Sequence, residues 1–151
     1  MMSAVAQITD YLGPLLGRAH EAHRVLSVQA LAPIGLSPKA FGALTVLAGE
    51  GPMAQGNLAR RQGIDRTTMV AVVDELERAR AVRRRRDASD RRAYALELTP
   101  EGARLLELGH AAVRAAEDRF LAPLSAAERR ALMDALRKAV EGASDQVAAR
   151  A

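Results

Sequence analysis

The amino-acid sequence predicts a mainly α-helical protein with one small β-hairpin, and three observations carry that expectation. Apolar side chains recur three and four residues apart along most of the 151 residues, the period of a helix with one buried face. Hydrophobic residues make up 49% of the chain but aromatics only 3%, with no Trp. The core must therefore come from Leu, Val, Ile and Ala, and of these Leu and Ala favour helices. Only after Val82 does the period fall to two, with Tyr94, Leu96 and Leu98 alternating with Ala95 and Glu97 as in a half-buried strand. The length suits one domain with a proper core.

The elements follow in order. Val5, Ile8, Leu12, Leu15, Ala19, Ala22, Leu26 and Ala30 mark one face of a first helix across residues 3–32. Gly13-Pro14 interrupts it, because proline inside a helix removes a hydrogen bond and crowds the preceding turn. Of the two outcomes, a long helix with an irregular first part is expected over a fresh start at Pro14. Ala32-Pro33-Ile34-Gly35 ends this helix, and Ser37-Pro38 caps and opens a second over about 38–48, with Phe41, Leu44 and Leu47 inward. Gly49-Glu50-Gly51-Pro52 breaks it. Residues 53–62 read as a short helix burying Leu58 and Ala59, closed by Gly63 as a left-handed cap.

Only Ile64 separates Gly63 from Asp65, which caps the next helix. There Met69, Val72, Val73 and Leu76 face the core, while Thr67, Val70, Ala71, Asp74 and Arg78 face out. The hairpin begins at Val82 and turns at Asp87-Ala88-Ser89-Asp90. Thr99-Pro100-Glu101 opens another helix, running to about Ala122 with Leu106, Val113, Ala116 and Phe120 inward. Ser125-Ala126-Ala127-Glu128 is a capping box for a last helix with Leu132, Leu136 and Val140 on one face.

Two short helices joined by so tight a glycine-containing turn form a helix-turn-helix. The basic hairpin that follows makes the arrangement a winged helix-turn-helix, flanked by amphipathic helices at both ends. The charge agrees. Net charge is +4, and all of the excess lies between Ser37 and Thr99, with twelve basic and eight acidic residues; elsewhere ten balance ten. From Arg78 to Arg92, eight arginines face only Asp87 and Asp90. A charge run is often a mere solvated strip, but on a hairpin beside a helix pair it points to a polyanion, and so to nucleic acid. Cys is absent, which removes disulfides and thiol redox chemistry. No signal peptide or bilayer-length apolar run is visible, so a cytoplasmic protein with no membrane partner is expected. No nucleophile elbow, phosphate-cradling glycine loop, zinc motif or dinucleotide fingerprint is present, so neither an enzyme nor a cofactor is expected.

On the segments LAPIGLSPKAFGAL, NLARRQGIDRTTMVAVVDELERARAV, RRRRDASDRRAYALELTPEG and LAPLSAAERRAL, the chain resembles the MarR family of bacterial transcription regulators from about Tyr11 to Val140. The third segment is the most specific, with its D-x-x-D-R-R tip, strand and L-T-P-E-G. The resemblance implies a single domain, in which residues 1–36 and 100–151 form dimerisation helices and 37–99 the DNA-binding lobe. It implies a homodimer on double-stranded DNA, a recognition helix in the major groove and a wing in the minor groove, on a pseudo-palindromic operator.

Carried over by position, Asp65 caps the recognition helix, and Arg66, Thr67 and Thr68 fall at base- and phosphate-contacting places. Val70, Ala71 and Arg78 complete the outward face. Arg83, Arg84, Arg85 and Arg86 would lie along phosphates, and Arg91 or Arg92 would enter the minor groove, where A·T-rich tracts attract arginine. Asp87 or Asp90 would pair with an arginine and shape the wing tip. Val70, Ala71 and Glu75 replace more polar or basic residues, so the reading face is poor in donors, though Val70, Ala71 and the Thr methyls suit thymine methyls. The wing is accordingly expected to supply more of the affinity than in relatives. Arg80 replaces a usual Gly before the first wing strand, and Ala54 replaces a capping Ser or Thr.

The family also implies a small aromatic or lipophilic anionic effector between the dimerisation helices and the reader, with Tyr11, His20, His23, Arg24 and Phe41 as candidate contacts. His20 and His23 lie three apart and His110 farther on, but metal sites need three or four converging ligands, and no metal is expected. The expected function is a repressor released by such an effector. The alternative is an architectural protein coating DNA with little sequence preference, for which specific and non-specific affinities would be nearly equal.

Overall fold

The computed structural model describes residues 11–86 and 94–148. It divides into two compact units, residues 1–117 and 118–151. The first holds α1 (Leu12–Leu31), a short 3-10 turn (Ala32–Ile34), α2 (Pro38–Glu50), β1 (Met53–Ala54), α3 (Gln55–Gln62), α4 (Arg66–Arg78), β2 (Val82–Arg86), β3 (Tyr94–Leu98) and most of α5 (Pro100–Phe120). The second holds the end of α5 and α6 (Ala126–Ala148). Among the described residues no single helix is long and apolar enough to cross a membrane.

Local chemistry sets most boundaries. Ser37 is extended and its hydroxyl accepts the Ala40 N–H at 3.1 Å, with Pro38 at the first helical position, where its missing N–H costs nothing. At Gly35 the left-handed φ of 75° ends the 3-10 turn. Leu31, Leu44, Leu58, Met69, Val73, Leu76 and Leu96 are fully buried, so α1, α2, α3, α4 and β3 share one core, to which α5 adds Leu105 and Leu106. In the second unit the capping box forms as expected: Ser125 Oγ accepts the Glu128 N–H at 3.3 Å and the Ser125 N–H donates to Glu128 Oε2 at 2.8 Å. The apolar face of α6, with Leu132, Met133, Leu136 and Val140, is open to solvent in the single chain.

Three expectations need correction. The first helix does not span residues 3–32: it begins one residue before Gly13-Pro14, and Val5 and Ile8 of the expected face lie outside the described residues. Tyr11 is extended (φ −106°, ψ 140°) and α1 opens at Leu12. That places Pro14 in the first turn, where N–H groups have no helical partner and proline does no harm. Residues 53–62 are not all helix, since Met53 and Ala54 form a third strand antiparallel to β3, pairing with Leu96 and Ala95. A two-residue strand carries no periodicity to detect. Finally, β3 does not alternate cleanly: Ala95 and Leu96 are both buried, whereas Tyr94 is exposed. β3 is the middle strand of the order β1-β3-β2, and Tyr94 sits opposite Arg86 at the outer end of the hairpin, beyond the core.

Candidate nucleic-acid interface

The helix-turn-helix is α3 and α4. Gly63 is left-handed (φ 64°), and the following Ile64 N–H reaches back to the Ala59 carbonyl at 3.1 Å, closing α3 in a Schellman turn. Two residues later Asp65 starts α4. Its Oδ1 accepts the Thr68 N–H at 2.9 Å and its Oδ2 accepts the Thr68 hydroxyl at 2.6 Å. These bonds hold the Asp65 carboxyl below the usual carboxylate range. Met69, Val72, Val73 and Leu76 are buried, which leaves Arg66, Thr67, Val70, Ala71, Asp74 and Arg78 on the open face. Thr68 differs from its neighbours. It is half-buried and its one hydroxyl proton is engaged by Asp65, so towards DNA it offers an acceptor and a methyl group.

Glu75 is not on the reading face at all. Its carboxylate turns in and accepts the Ser37 N–H at 2.7 Å and the Ser37 hydroxyl at 2.9 Å. The recognition helix thereby helps to cap α2. Glu75 takes no part in the donor-poor face and instead anchors the helix from behind.

At the far end of α4 the chain makes a second Schellman turn, with Ala81 N–H on the Leu76 carbonyl at 2.8 Å and Arg80 N–H on Glu77 at 2.9 Å. The left-handed position, which favours glycine, is held by Arg80 (φ 55°). The hairpin then pairs Val82 with Leu98, Arg83 with Glu97, Arg84 with Leu96, Arg85 with Ala95 and Arg86 with Tyr94. Alternation sends Arg83 and Arg85 to one face and Arg84 and Arg86 to the other, so the four do not form a single row. Arg83 and Arg85 flank the Glu97 carboxylate, and Arg84 pairs with Glu77 of α4 at 2.9 Å. The Arg83 hydrogen bond, with the charge of Arg85, keeps the Glu97 carboxyl below its ordinary value. Asp87, Asp90, Arg91 and Arg92, and the turn they belong to, lie outside the described residues.

The candidate effector contacts are not gathered in one place. Phe41 is half-buried and meets His110 of α5 edge-on, with ring centroids 5.2 Å apart at 82°. A Cβ built on Gly109 would lie 2.6 Å from the Phe41 ring and 3.6 Å from Leu31, so α1, α2 and α5 converge here. His23 lies 3.9 Å from Glu117, farther along α5. His20 is exposed, and Arg24 is exposed and paired with Glu21. Tyr11 precedes Leu31 by twenty residues, roughly 30 Å of helix, so within one chain it is remote from Phe41. Among the described residues no three His, Asp or Glu side chains are placed to hold a metal ion. Sequence reasoning missed Ser27, which is buried between His23 and Leu31 on α1 and whose Oγ has no hydrogen-bond partner among the described residues. A serine in a helix gives no signal of this.

Helix pair, third strand and arginine hairpin together define a winged helix-turn-helix. The MarR family profile matches residues 34–93, from the turn before α2 to the wing. The HTH-type transcriptional repressor NicR of Pseudomonas putida is 30% identical over 134 residues, 89% of this chain and 85% of its own length. A probable transcriptional regulator of Pseudomonas aeruginosa superposes with a TM-score of 0.79 at 32% identity, over 87% of this chain and 98% of its own. Rv2887, a MarR family protein of Mycobacterium tuberculosis whose structure is known with DNA and with salicylic acid, superposes at 0.73 in the DNA complex. It is 33% identical there, over 85% of this chain and 96% of that one. The chain belongs to the MarR family of transcriptional regulators.

Proposed function

We propose that this protein is a DNA-binding repressor that grips a pseudo-palindromic operator as a homodimer and is released by a small aromatic or lipophilic anion. One observation carries the reading: the Asp65-capped α4 presents Arg66, Thr67, Val70, Ala71 and Arg78 on a single open face beside an arginine-bearing hairpin. Arg66 and Arg78 would meet phosphates at the two ends of the helix, and Thr67, Val70 and Ala71 would pack on thymine methyls in the major groove. Arg83 and Arg85 on one face of β2, and Arg84 and Arg86 on the other, would meet separate phosphates, and Arg91 or Arg92 would enter the minor groove, with Asp87 or Asp90 bracing the tip.

Residues 37–99 form the reading lobe in this view, and 1–36 with 100–151 pair the subunits. The exposed apolar rows of α1 (Leu12, Leu15, Leu16) and α6 support that division, since such faces on a lone chain call for a partner. Dimerisation fixes the separation of two reading helices at about one turn of DNA, 34–36 Å. NicR and its like are repressors, and salicylic acid bound to Rv2887 supports an aromatic carboxylate as effector class. Its contacts would be drawn from Phe41, His23, His20, Arg24 and Tyr11, which one chain does not gather in one place, and from Ser27 of α1, whose buried hydroxyl has no partner among the described residues. Phe41 lies one turn from Ser37, and Ser37 is bonded to Glu75 of α4. A ligand that shifts α2 would therefore move the reader, and would weaken binding only by favouring the non-binding spacing. The cytoplasm is where such a protein meets its operator.

Footprinting the DNA flanking the gene tests the reading. A protected palindrome, lost on adding salicylate-like acids, is the expected result. Equal affinity for that site and for random duplex at fixed salt would overturn it.

A further inference from the structure

The four arginines of β2 are unequal in their surroundings. On the outer face of the hairpin, Glu97 stands directly opposite Arg83, and its Oε2 accepts from Arg83 Nε at 2.8 Å while its Oε1 lies 3.4 Å from Arg85 Nη1. One carboxylate is thus shared by two guanidinium groups. The Glu97 side chain is 19% exposed, against 67% for Arg83 and 61% for Arg85, so the acid lies beneath the arginines. A phosphate arriving from solvent meets the guanidinium groups first. On the other face, Arg84 Nε donates to Glu77 Oε1 at 2.9 Å. Four positive charges on β2 therefore carry two built-in negative ones.

We propose that Glu97 is an intrinsic counter-ion of the wing, holding Arg83 and Arg85 side by side while lowering the charge they present to DNA phosphates from two to one. The proposal rests on the DNA-binding reading above. A carboxylate under the phosphate-facing arginines repels DNA whatever its sequence, because phosphates carry no base information. Its effect is therefore to restrain binding everywhere, operator and bulk DNA alike, and to leave discrimination to α4. Glu77 restrains Arg84 in the same way. The gain from ordering two exposed arginines is small, since exposed ion pairs contribute little. The added phosphate charge neutralised on removing the acid is larger, because each unit steepens the salt dependence by roughly 0.9 in log–log slope.

Glu97→Gln keeps the shape and removes the charge. The dimer carries two copies, so the slope of log affinity against log salt is expected to steepen by about 1.8, and affinity to rise on the order of tenfold per subunit at about 0.1 M salt. The rise should be equal on operator and scrambled duplex. Glu77→Gln should act in the same direction. Glu107→Gln, an equal charge change on the exposed side of α5, should leave the slope alone. An unchanged slope in both wing variants, a gain matched by Glu107→Gln, or weaker binding by a normally folded Glu97→Gln protein would overturn the proposal. If the wild type binds neither duplex, the DNA-binding reading itself fails and the counter-ion role with it. If the wild type protects its operator and the wing variants behave like it, only the counter-ion role is lost.

Discussion

Replacing Gly102 by alanine should destabilise the protein, although the residue lies inside α5, where alanine is intrinsically the better helix former by about 1 kcal/mol. The reason is the junction beneath it. Thr99 donates from its N–H to the Ala81 carbonyl at 3.0 Å, and its hydroxyl lies 2.7 Å from the Arg80 carbonyl and 3.1 Å from that of Ala81. The same hydroxyl accepts the Gly102 N–H at 2.9 Å. α5 is therefore drawn down onto the turn that joins α4 to the wing. A Cβ on Gly102 would overlap the Ala81 carbonyl oxygen and stand 2.8 Å from Leu98 Cδ1 and 2.9 Å from the Ala81 carbonyl carbon. Backbone cannot swing aside as a side-chain tip can, so the helix must lift.

Lifting it forfeits two hydrogen bonds at about 1 kcal/mol each, and overpacking adds about 1–3 kcal/mol. Less the helix-propensity gain, the net loss is about 2–4 kcal/mol, or roughly 5–15 °C in Tm for a domain of this size. Gly49→Ala, in the last turn of α2 with nothing within 4 Å of its Cβ, serves as the partner experiment and should gain about 0.5 kcal/mol. Urea denaturation of both variants reads the two signs. A Gly102→Ala protein as stable as the wild type would refute the close-approach argument.

Other perturbations give equally definite expectations. Arg80→Gly relieves a left-handed residue at a position built for glycine and should stabilise the fold by about 0.5–1 kcal/mol, measured by the same denaturation; a loss would show that the arginine side chain does more for folding than its backbone costs. Glu75→Ala leaves the half-buried Ser37 N–H and hydroxyl without their carboxylate and should cost about 1–2 kcal/mol, with Glu75→Gln falling between; equal stability of all three proteins would contradict the clamp. Asp65 and Glu128 are both held below their ordinary carboxylate values, the first chiefly by the Thr68 hydroxyl and the second chiefly by the Ser125 hydroxyl. Depressed values mean the stabilisation is complete above about pH 4 and is lost as pH falls through the lowered folded values. Asp65→Asn should flatten that acid-side slope in a pH series of thermal melts, and an unaltered slope would sink the assignment.

Much of this architecture could be read from the chain because each signal was local and short in range. Ser37-Pro38, Gly63, Asp65 and the Ser125–Glu128 box act within one turn of backbone, and the burial of Met69, Val72, Val73 and Leu76 follows from helical spacing alone. What escaped was set by partners distant in sequence. β1 exists only because β3 offers it a free edge. Glu75 looks like a poor DNA contact until α2 is laid beside α4, thirty-eight residues away in sequence. Ser27 is ordinary until α1 is packed, and nothing in its neighbours marks the burial of its hydroxyl. The start of α1 differs for another reason: the apolar period continues through Gly13-Pro14, whereas a proline sits without cost only in a helix's first turn, which puts the start at Leu12.

The wing shows how a charge count differs from a charge arrangement. Eight arginines against two aspartates between Arg78 and Arg92 look like an unopposed basic strip, yet that tally stops short of Glu97 and leaves out Glu77. Residues equidistant from position 90 face one another across the hairpin, and that symmetry alone pairs Arg83 with Glu97. The strand alternation then divides the arginines between two faces, each supplied with its own carboxylate. A sequence expected to rely on raw charge in its wing therefore moderates that charge from within. The restraint falls equally on operator and bulk DNA, so it lowers both affinities and their salt dependence without altering the ratio between them. Choice of site is left to the face of α4, rich in methyls and thin in donors.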